Sequence, residues 1–121
     1  MYSNQALDHF EHPRNAGAVA DPDAQALIEN PACGDTLKLT ARIANGRIEE
    51  IRFQAKGCVA SVACGSVLTE LVRGMTVEEA RKLRREEIVL AVGGLPPASM
   101  HASYLAIDAL EAMLKQIVAN S

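Results

Sequence analysis

Two runs of alternating apolar and polar residues, joined by Asn45-Gly46, constrain the fold of this chain more than any other feature. Apolar side chains occupy every second position in residues 37–43, and residues 51–55 repeat the pattern. Alternation of this kind predicts strands with one buried face, and an Asn-Gly pair between two strands predicts a hairpin.

The hairpin has two possible registers. A two-residue turn would set Leu39 opposite Arg52, whereas a three-residue loop that includes Arg47 sets Leu39 opposite Phe53. A shift of one residue moves every side chain of a strand to the other face of the sheet. We favour the three-residue loop because it places the apolar side chains of both strands on the same face.

The favoured register also brings polar residues together at the open end of the hairpin. Extended outward, it sets Gly34 across from Cys58, so that Cys33 and Asp35 flank the strand end where Cys58 emerges. Neighbouring strands lie about 4.8 Å apart. We therefore expect the three side chains to converge, although the register does not reach His101.

Helical patterns precede and follow the hairpin. Ser3 is placed to cap a helix over Asn4–Glu11 that has Leu7 and Phe10 on one face. The proline-containing segment 13–31 is expected to be mobile, with one short strand around residues 26–29.

After Gly57 the apolar spacing becomes helical, and four helical stretches are predicted. The first carries an apolar arc and ends at Gly74, and the second begins with a capping box of Thr76 and Glu79. The last is a long helix after Pro96-Pro97 with His101 in its first turn. The apolar arc of the first stretch runs from Ala60 to Leu71, the second stretch covers Val77 to about Leu83, the third is a turn around Glu86 to Val92, and the apolar positions of the last run from Met100 to Ile117. This order predicts one α+β domain over residues 1–121, in which helices pack on one face of a small antiparallel sheet of about three strands.

Composition argues against several classes of protein. The chain lacks Trp and has a net charge of -3, so it offers neither stacking platforms nor long-range attraction for nucleic acid. No apolar run is long enough for a membrane helix. An odd count of three cysteines, with no signal peptide, favours a reducing compartment, and we expect a cytoplasmic protein.

Four side chains form the candidate site. Cys33 and Cys58 supply sulfur, Asp35 an oxygen and His101 a nitrogen, a set that suits tetrahedral zinc or a labile variant of an iron-sulfur cluster shell. The spacing also fits a turn aspartate beside two unrelated core thiols, and the residues by themselves leave both interpretations open.

Three motifs resemble those of the IscU/NifU-type iron-sulfur cluster assembly scaffolds, and they occur in the same order. They are Pro31-Ala32-Cys33-Gly34-Asp35, Lys56-Gly57-Cys58, and Gly93-Gly94-Leu95-Pro96-Pro97 followed by Met100-His101. The resemblance extends over nearly the whole chain.

The resemblance implies a SufE/NifU-like fold and a scaffold or carrier rather than an enzyme. It implies that Cys33, Asp35, Cys58 and His101 bind a [2Fe-2S] cluster, with zinc as an alternative occupant. A cysteine desulfurase would supply the sulfur, and iron-sulfur acceptor proteins would receive the cluster. Residues 95–97 resemble the loop that a chaperone recognises in some scaffolds.

Ala102 departs from the family pattern, in which a third cysteine directly follows the histidine. The absence of this third cysteine affects the acceptance of sulfur more than the binding of a metal. Three explanations stay open: a cysteine deliberately replaced by Ala102, a natural scaffold that uses another thiol, or a paralogue that retains only a metal. The alternative functions are a zinc-dependent sulfurtransferase that accepts persulfide sulfur and a zinc-stabilised interaction module.

Several other residues could carry chemistry, but structural roles are favoured for them. Cys64, about 9 Å beyond Cys58 along a helix, is expected to be a buried thiol, with a sulfur carrier as the alternative. Lys56 is expected to be solvated, with stabilisation of a thiolate as the alternative. His9 and His12 are expected at the surface.

A basic run, made up of Arg81, Lys82, Arg84 and Arg85, follows the helix that Thr76 caps. It is expected to oppose the dipole at the end of that helix, and the alternative is a docking patch for an acidic partner.

Overall fold

A computed structural model describes residues 1–31 and 34–119, the last two of them by their backbone alone. Within this described part of the chain, three strands form one antiparallel sheet in the order β1-β2-β3, and helices pack against it, which confirms the predicted α+β class. In chain order the elements are α1 (Asn4–Glu11), β1 (Ala24–Glu29), β2 (Thr36–Ala44), β3 (Arg47–Lys56), α2 (Val59–Val72), α3 (Val77–Arg81), α4 (Arg85–Ala91), a 3₁₀ turn (Pro97–Ser99) and α5 (His101–Ala119).

The predicted register is confirmed, but the predicted loop is wrong. Leu39 pairs with Phe53, as expected from the burial of both side chains. Nevertheless, the turn contains only Asn45 and Gly46, whose φ angles of 55° and 73° suit a two-residue hairpin turn. The pairing of β2 and β3 shifts by one residue at Glu49, which is left without a strand partner. This β-bulge restores the register in which Leu39 pairs with Phe53.

The core lies between one face of the sheet and the helices α2 and α5. Leu37, Leu39 and Phe53 point from the sheet into this core. Gly65 allows α2 to approach the sheet closely, since a Cβ there would lie 2.6 Å from Phe53 Cδ2. The buried surface of helix α2 is wider than the single apolar arc that was predicted, because α1 covers the side that the sheet leaves open.

The segment before β1 pairs with the outer edge of β3 at Ala16 and then meets Thr40 on the face of the sheet opposite the core. The Gly17 N–H donates to the Phe53 carbonyl at 2.9 Å, and the Val19 N–H donates to Thr40 Oγ1 at 2.9 Å. These hydrogen bonds attach the segment to the sheet, against the prediction that it is mobile. The predicted short strand is β1, which begins two residues earlier than expected.

Helix α1 has the predicted bounds and the predicted Ser3 cap, but it buries a different face. Leu7 and Phe10 are 38% and 41% exposed, whereas Ala6 and His9 are buried against α2. The expectation of a surface position is therefore wrong for His9, whose Nδ1 lies 2.7 Å from Ser66 Oγ.

Burial lowers the pKa of His9, so the neutral ring is favoured. Its neighbour His12 is exposed, as predicted. The buried position of His9 could not be found from apolar periodicity, because the pattern of α1 points to Leu7 and Phe10.

The basic run is divided between two helices rather than gathered at one helix end. Arg81 is in the last turn of α3, as predicted for a cation that opposes the helix dipole, and its guanidinium also pairs with Glu78. Arg85 instead begins α4, where its positive charge lies at the positive end of the helix dipole and gains no stabilisation from it. Its guanidinium lies 4.4 Å from the Tyr104 ring centroid and 3.3 Å from Ser103 Oγ, so it packs on the start of α5.

Among the residues that the structure describes, no helix has the length and apolar character needed to cross a membrane.

Candidate metal centre

Three of the four predicted ligand residues meet at the open end of the hairpin. Asp35 immediately precedes β2, Cys58 is the N-cap residue of α2, and His101 is the first residue of α5. The register would set Asp35 opposite Gly57, because Thr36 pairs with Lys56. The hairpin thus positions Asp35 and Cys58, and the packing of α5 brings His101 to them.

The three donor atoms have the spacing of a tetrahedral site. Asp35 Oδ2 lies 3.3 Å from His101 Nε2 and 3.5 Å from Cys58 Sγ, and that sulfur lies 3.9 Å from Nε2. Zinc bonds of about 2.0 to 2.3 Å put neighbouring ligand atoms roughly 3.3 to 3.8 Å apart. The donor set of sulfur, nitrogen and oxygen therefore fits a metal ion with little rearrangement.

The site is open on one side. The Asp35 side chain is 9% exposed, the His101 side chain is 33% exposed, and Cys58 is half-buried. The carboxylate thus forms the floor of the site, and the imidazole and the thiol form its rim. A metal ion could reach or leave the three donor atoms past this rim without unfolding of the core.

Gly57 makes room for the carboxylate. Its φ of +140° is unfavourable for other residues. A Cβ there would lie 2.4 Å from both Cγ and Oδ1 of Asp35. The Asp35 side chain therefore folds over the bare backbone of Gly57. A glycine directly before Cys58 was the signal in the sequence, but its contact partner was not predicted.

Ser61 is a site residue that the sequence analysis missed. Its buried hydroxyl donates to Asp35 Oδ2 at 2.6 Å, and its oxygen lies 3.5 Å from Cys58 Sγ. The signal was its position three residues after Cys58, at the start of α2, since residues three apart share one helix face.

Cys33 lies outside the described residues, so its place at the site stays a prediction. The hydrogen bonds that flank it are defined: the Gly34 N–H donates to the Asn30 carbonyl at 2.7 Å, and the Asn30 N–H donates to the Asp35 carbonyl at 2.8 Å. They close the loop between β1 and β2 beside the three-residue cluster.

The remaining candidates have no side chain in the cluster. Lys56 is exposed, in line with the favoured interpretation. Ala102 is 1% exposed and belongs to the core, although it directly follows His101. Cys64 is fully buried as predicted, and burial raises the pKa of its thiol to about 12.

Fold and site together define a class of protein: a three-stranded antiparallel sheet covered by helices, with a partly open S/N/O donor cluster where the hairpin meets two helix N-termini. The family model described as "NifU-like N terminal domain" matches residues 1–120. The chain belongs to this NifU-like N-terminal domain family.

Curated relatives agree with this membership. The chain is 46% identical over 110 residues to a protein named iron-sulfur cluster assembly scaffold protein IscU 1 of Archaeoglobus fulgidus, a match that covers 91% of this chain and 72% of the relative. It is 37% identical over 116 residues to the protein named iron-sulfur cluster assembly scaffold protein IscU of Aquifex aeolicus, with 94% and 74% covered. A mitochondrial iron sulfur cluster assembly protein 1 of Schizosaccharomyces pombe is 40% identical, with 95% and 62% covered.

Solved structures show the same fold. A NifU-like protein from Brucella abortus superposes with a TM-score of 0.79 at 22% identity, covering 98% of this chain and 95% of that one. A structure titled as a putative iron-sulfur cluster assembly scaffold protein from Fervidobacterium islandicum superposes with a TM-score of 0.78 at 20% identity, with 93% and 96% covered.

Gly57→Ala should disrupt the site through the displaced carboxylate. We expect it to cost more than about 2 kcal/mol of unfolding free energy, because it combines an unfavourable φ with a steric clash. We also expect at least a roughly tenfold loss of zinc affinity, since Asp35 must move. Urea denaturation and competition with a chromophoric chelator measure the two effects.

Gly46→Ala is the matched control, because its φ is also positive but a Cβ there meets nothing within 4 Å. It should cost about 1 to 2 kcal/mol and leave zinc affinity unchanged. Equal zinc affinity in the Gly57→Ala and Gly46→Ala variants would contradict the role given to Gly57.

Cys64 should be unreactive in the folded protein. The pKa of its thiol is about 12. Only about 0.1% of it is therefore thiolate at pH 9, and the thiolate is the nucleophile. Treatment with iodoacetamide at pH 9, followed by peptide mapping, should label Cys58 and spare Cys64, and both should react in urea. Labelling of Cys64 at the rate of Cys58 in the folded chain would show that the thiol is accessible.

Proposed function

We propose that this chain is an iron-sulfur cluster assembly scaffold or carrier, which holds a [2Fe-2S] cluster, or zinc or iron, and transfers its cargo to acceptor proteins. The ligands would be Cys33, Asp35, Cys58 and His101. The observation that carries the proposal is the spacing of three donor atoms from three separate elements, 3.3 to 3.9 Å apart. Relatives named as scaffold proteins support the role and agree with the expectation of a scaffold rather than an enzyme.

Each side chain has a distinct task in this function. The Cys58 sulfur is a soft ligand and holds iron or zinc strongly, whereas the Asp35 carboxylate is a hard ligand that suits a soft cluster less well. His101 lies at the rim, where its imidazole separates the cargo from solvent. The carboxylate is therefore the ligand that exchanges most readily, and its release would begin transfer to an acceptor.

Because position 102 carries an alanine and no thiol, sulfur must be received by another cysteine. The Ala102 side chain offers no ligand, and it is buried in the core beside His101. Cys64 is an unsuitable sulfur carrier, because its buried thiol stays protonated. The sulfur that a cysteine desulfurase supplies would thus be received at Cys58 or Cys33.

The partners are proteins in this proposal: a cysteine desulfurase, the acceptors, and a chaperone at residues 95–97. A cytoplasmic location is part of this proposal, although one relative is named as a mitochondrial protein.

Anaerobic reconstitution with ferric iron and sulfide tests the proposal directly. The wild-type chain should acquire the charge-transfer absorption of a [2Fe-2S] cluster, with iron and sulfide in equal amounts, and should pass both to an apo-ferredoxin. Absence of cluster and of iron binding in the wild type would contradict the scaffold function.

Asp35→Ala should lengthen the lifetime of the cluster and slow its transfer, because the exchangeable ligand is removed. The decay of the absorption band and the rate of ferredoxin maturation measure the two effects. Asp108→Ala, which removes an exposed carboxylate from α5, is the matched control and should change neither rate. Equal or faster decay in Asp35→Ala would refute the role of the carboxylate.

Ala102→Cys separates a working scaffold from a disabled one. The proposal expects the wild-type chain to form the cluster without this thiol. Cluster formation in the variant alone would identify the wild-type chain as a scaffold that has lost assembly.

A further inference from the structure

We propose that Ser61 is a positioning residue of the cargo site, which fixes Asp35 as a ligand through one oxygen and thereby sets the affinity for the metal ion. This inference rests on the proposed function, because it concerns the same site. The hydroxyl donates to Asp35 Oδ2 at 2.6 Å, and this is the oxygen that lies close to His101 Nε2 and Cys58 Sγ.

Distances exclude Ser61 itself as a ligand beside Asp35. Two oxygen ligands of one tetrahedral ion stand roughly 3.3 Å apart when each bond is about 2.0 Å. The Ser61 and Asp35 oxygens are 2.6 Å apart, the separation of a short hydrogen bond. Ser61 therefore acts on the ion through the carboxylate.

The hydrogen bond directs the carboxylate from one side, and the backbone directs it from another. A carboxylate oxygen can accept a proton and still offer a lone pair to an ion. The Ser61 proton meets Oδ2, the same oxygen that faces the sulfur of Cys58 and the imidazole of His101. Gly57 meanwhile lies against Cγ and Oδ1, where a Cβ would be 2.4 Å away. The carboxylate is thus held between a hydroxyl and a bare backbone, with Oδ2 turned towards the other two donors.

Burial makes this support strong. Ser61 is 1% exposed and Asp35 is 6% exposed. Water therefore competes little for the hydrogen bond. Ser61 lies in the first turn of α2, the helix that Cys58 begins, and its position relative to the sulfur is therefore rigid. One short segment of helix supplies both a ligand and the group that orients a second ligand.

Zinc affinity of the whole chain tests the role of the hydroxyl. Loss of a hydrogen-bond partner that orients a metal ligand typically weakens metal binding roughly 10- to 100-fold. We expect Ser61→Ala to bind Zn²⁺ weaker by about this factor in competition with a chromophoric chelator. Co²⁺ should show a weaker or shifted d–d absorption in the variant, a spectroscopic sign of altered ligand geometry that a loss of stability alone would not produce.

An isosteric pair removes the effect of packing. Ser61→Thr and Ser61→Val introduce side chains of the same shape, but only threonine keeps the hydroxyl. We expect the threonine variant to bind Zn²⁺ about 10- to 100-fold tighter than the valine variant. Equal binding by the two would overturn the inference, even if Ser61→Ala failed to fold.

A double-mutant cycle shows whether Ser61 acts through Asp35. In an Asp35→Ala background, Ser61→Ala should weaken Zn²⁺ binding no further, because the two residues act as one unit. Full additivity would overturn the inference. Ser66→Ala, which removes another buried hydroxyl of α2 that contacts His9 rather than the site, should leave the affinity unchanged.

The outcomes distinguish this inference from the function on which it rests. A wild-type chain that binds neither Zn²⁺ nor Co²⁺ would overturn both. A wild-type chain that binds both ions, together with a Ser61→Ala variant of equal affinity and equal spectrum, would overturn the role of Ser61 and leave the proposed function standing.

Discussion

The pairing of β2 with β3 is the constraint on which the rest of the structure depends. Burial of Leu39 and Phe53 on the same face fixes the register, and that register runs on to set Asp35 beside Gly57. A slip by one residue would expose the apolar face of a strand and would also move the carboxylate away from Cys58. The free energy that stabilises the core therefore also assembles half of the candidate site.

The other half depends on the helices. Helix α2 lies close to the sheet because Gly65 has no side chain to meet Phe53, and its first turn carries Cys58 and Ser61. Helix α5 packs on the same face and begins at His101. Each side chain thus enters the site from the end of a packed element, which keeps the donors close together while the rim stays open. A rigid frame with an open rim suits a protein that must both hold and release its cargo.

Local sequence signals predicted the elements well where one interaction decided the outcome. The Ser3 cap and the capping box of Thr76 and Glu79 marked helix starts correctly, because each depends on side chains within one turn. Prediction failed where a distant group decided. The buried face of α1 was assigned to its apolar residues, yet His9 is buried because Ser66 on α2 meets its ring. The hairpin turn was misjudged because a bulge at Glu49, which periodicity does not show, corrects the register.

By itself the sequence determined the α+β class and the register of the hairpin, and it identified Asp35, Cys58 and His101 as candidate donors, because alternation, caps and motifs are encoded over short spans of chain. Only the tertiary structure decided that the His101 imidazole, distant along the chain, lies 3.3 Å from the Asp35 carboxylate, and that Ser61 and Gly57 hold that carboxylate between them. The physical reason is that contacts between elements are set by the packing of whole helices against the sheet, and no local pattern specifies the angle or depth of that packing.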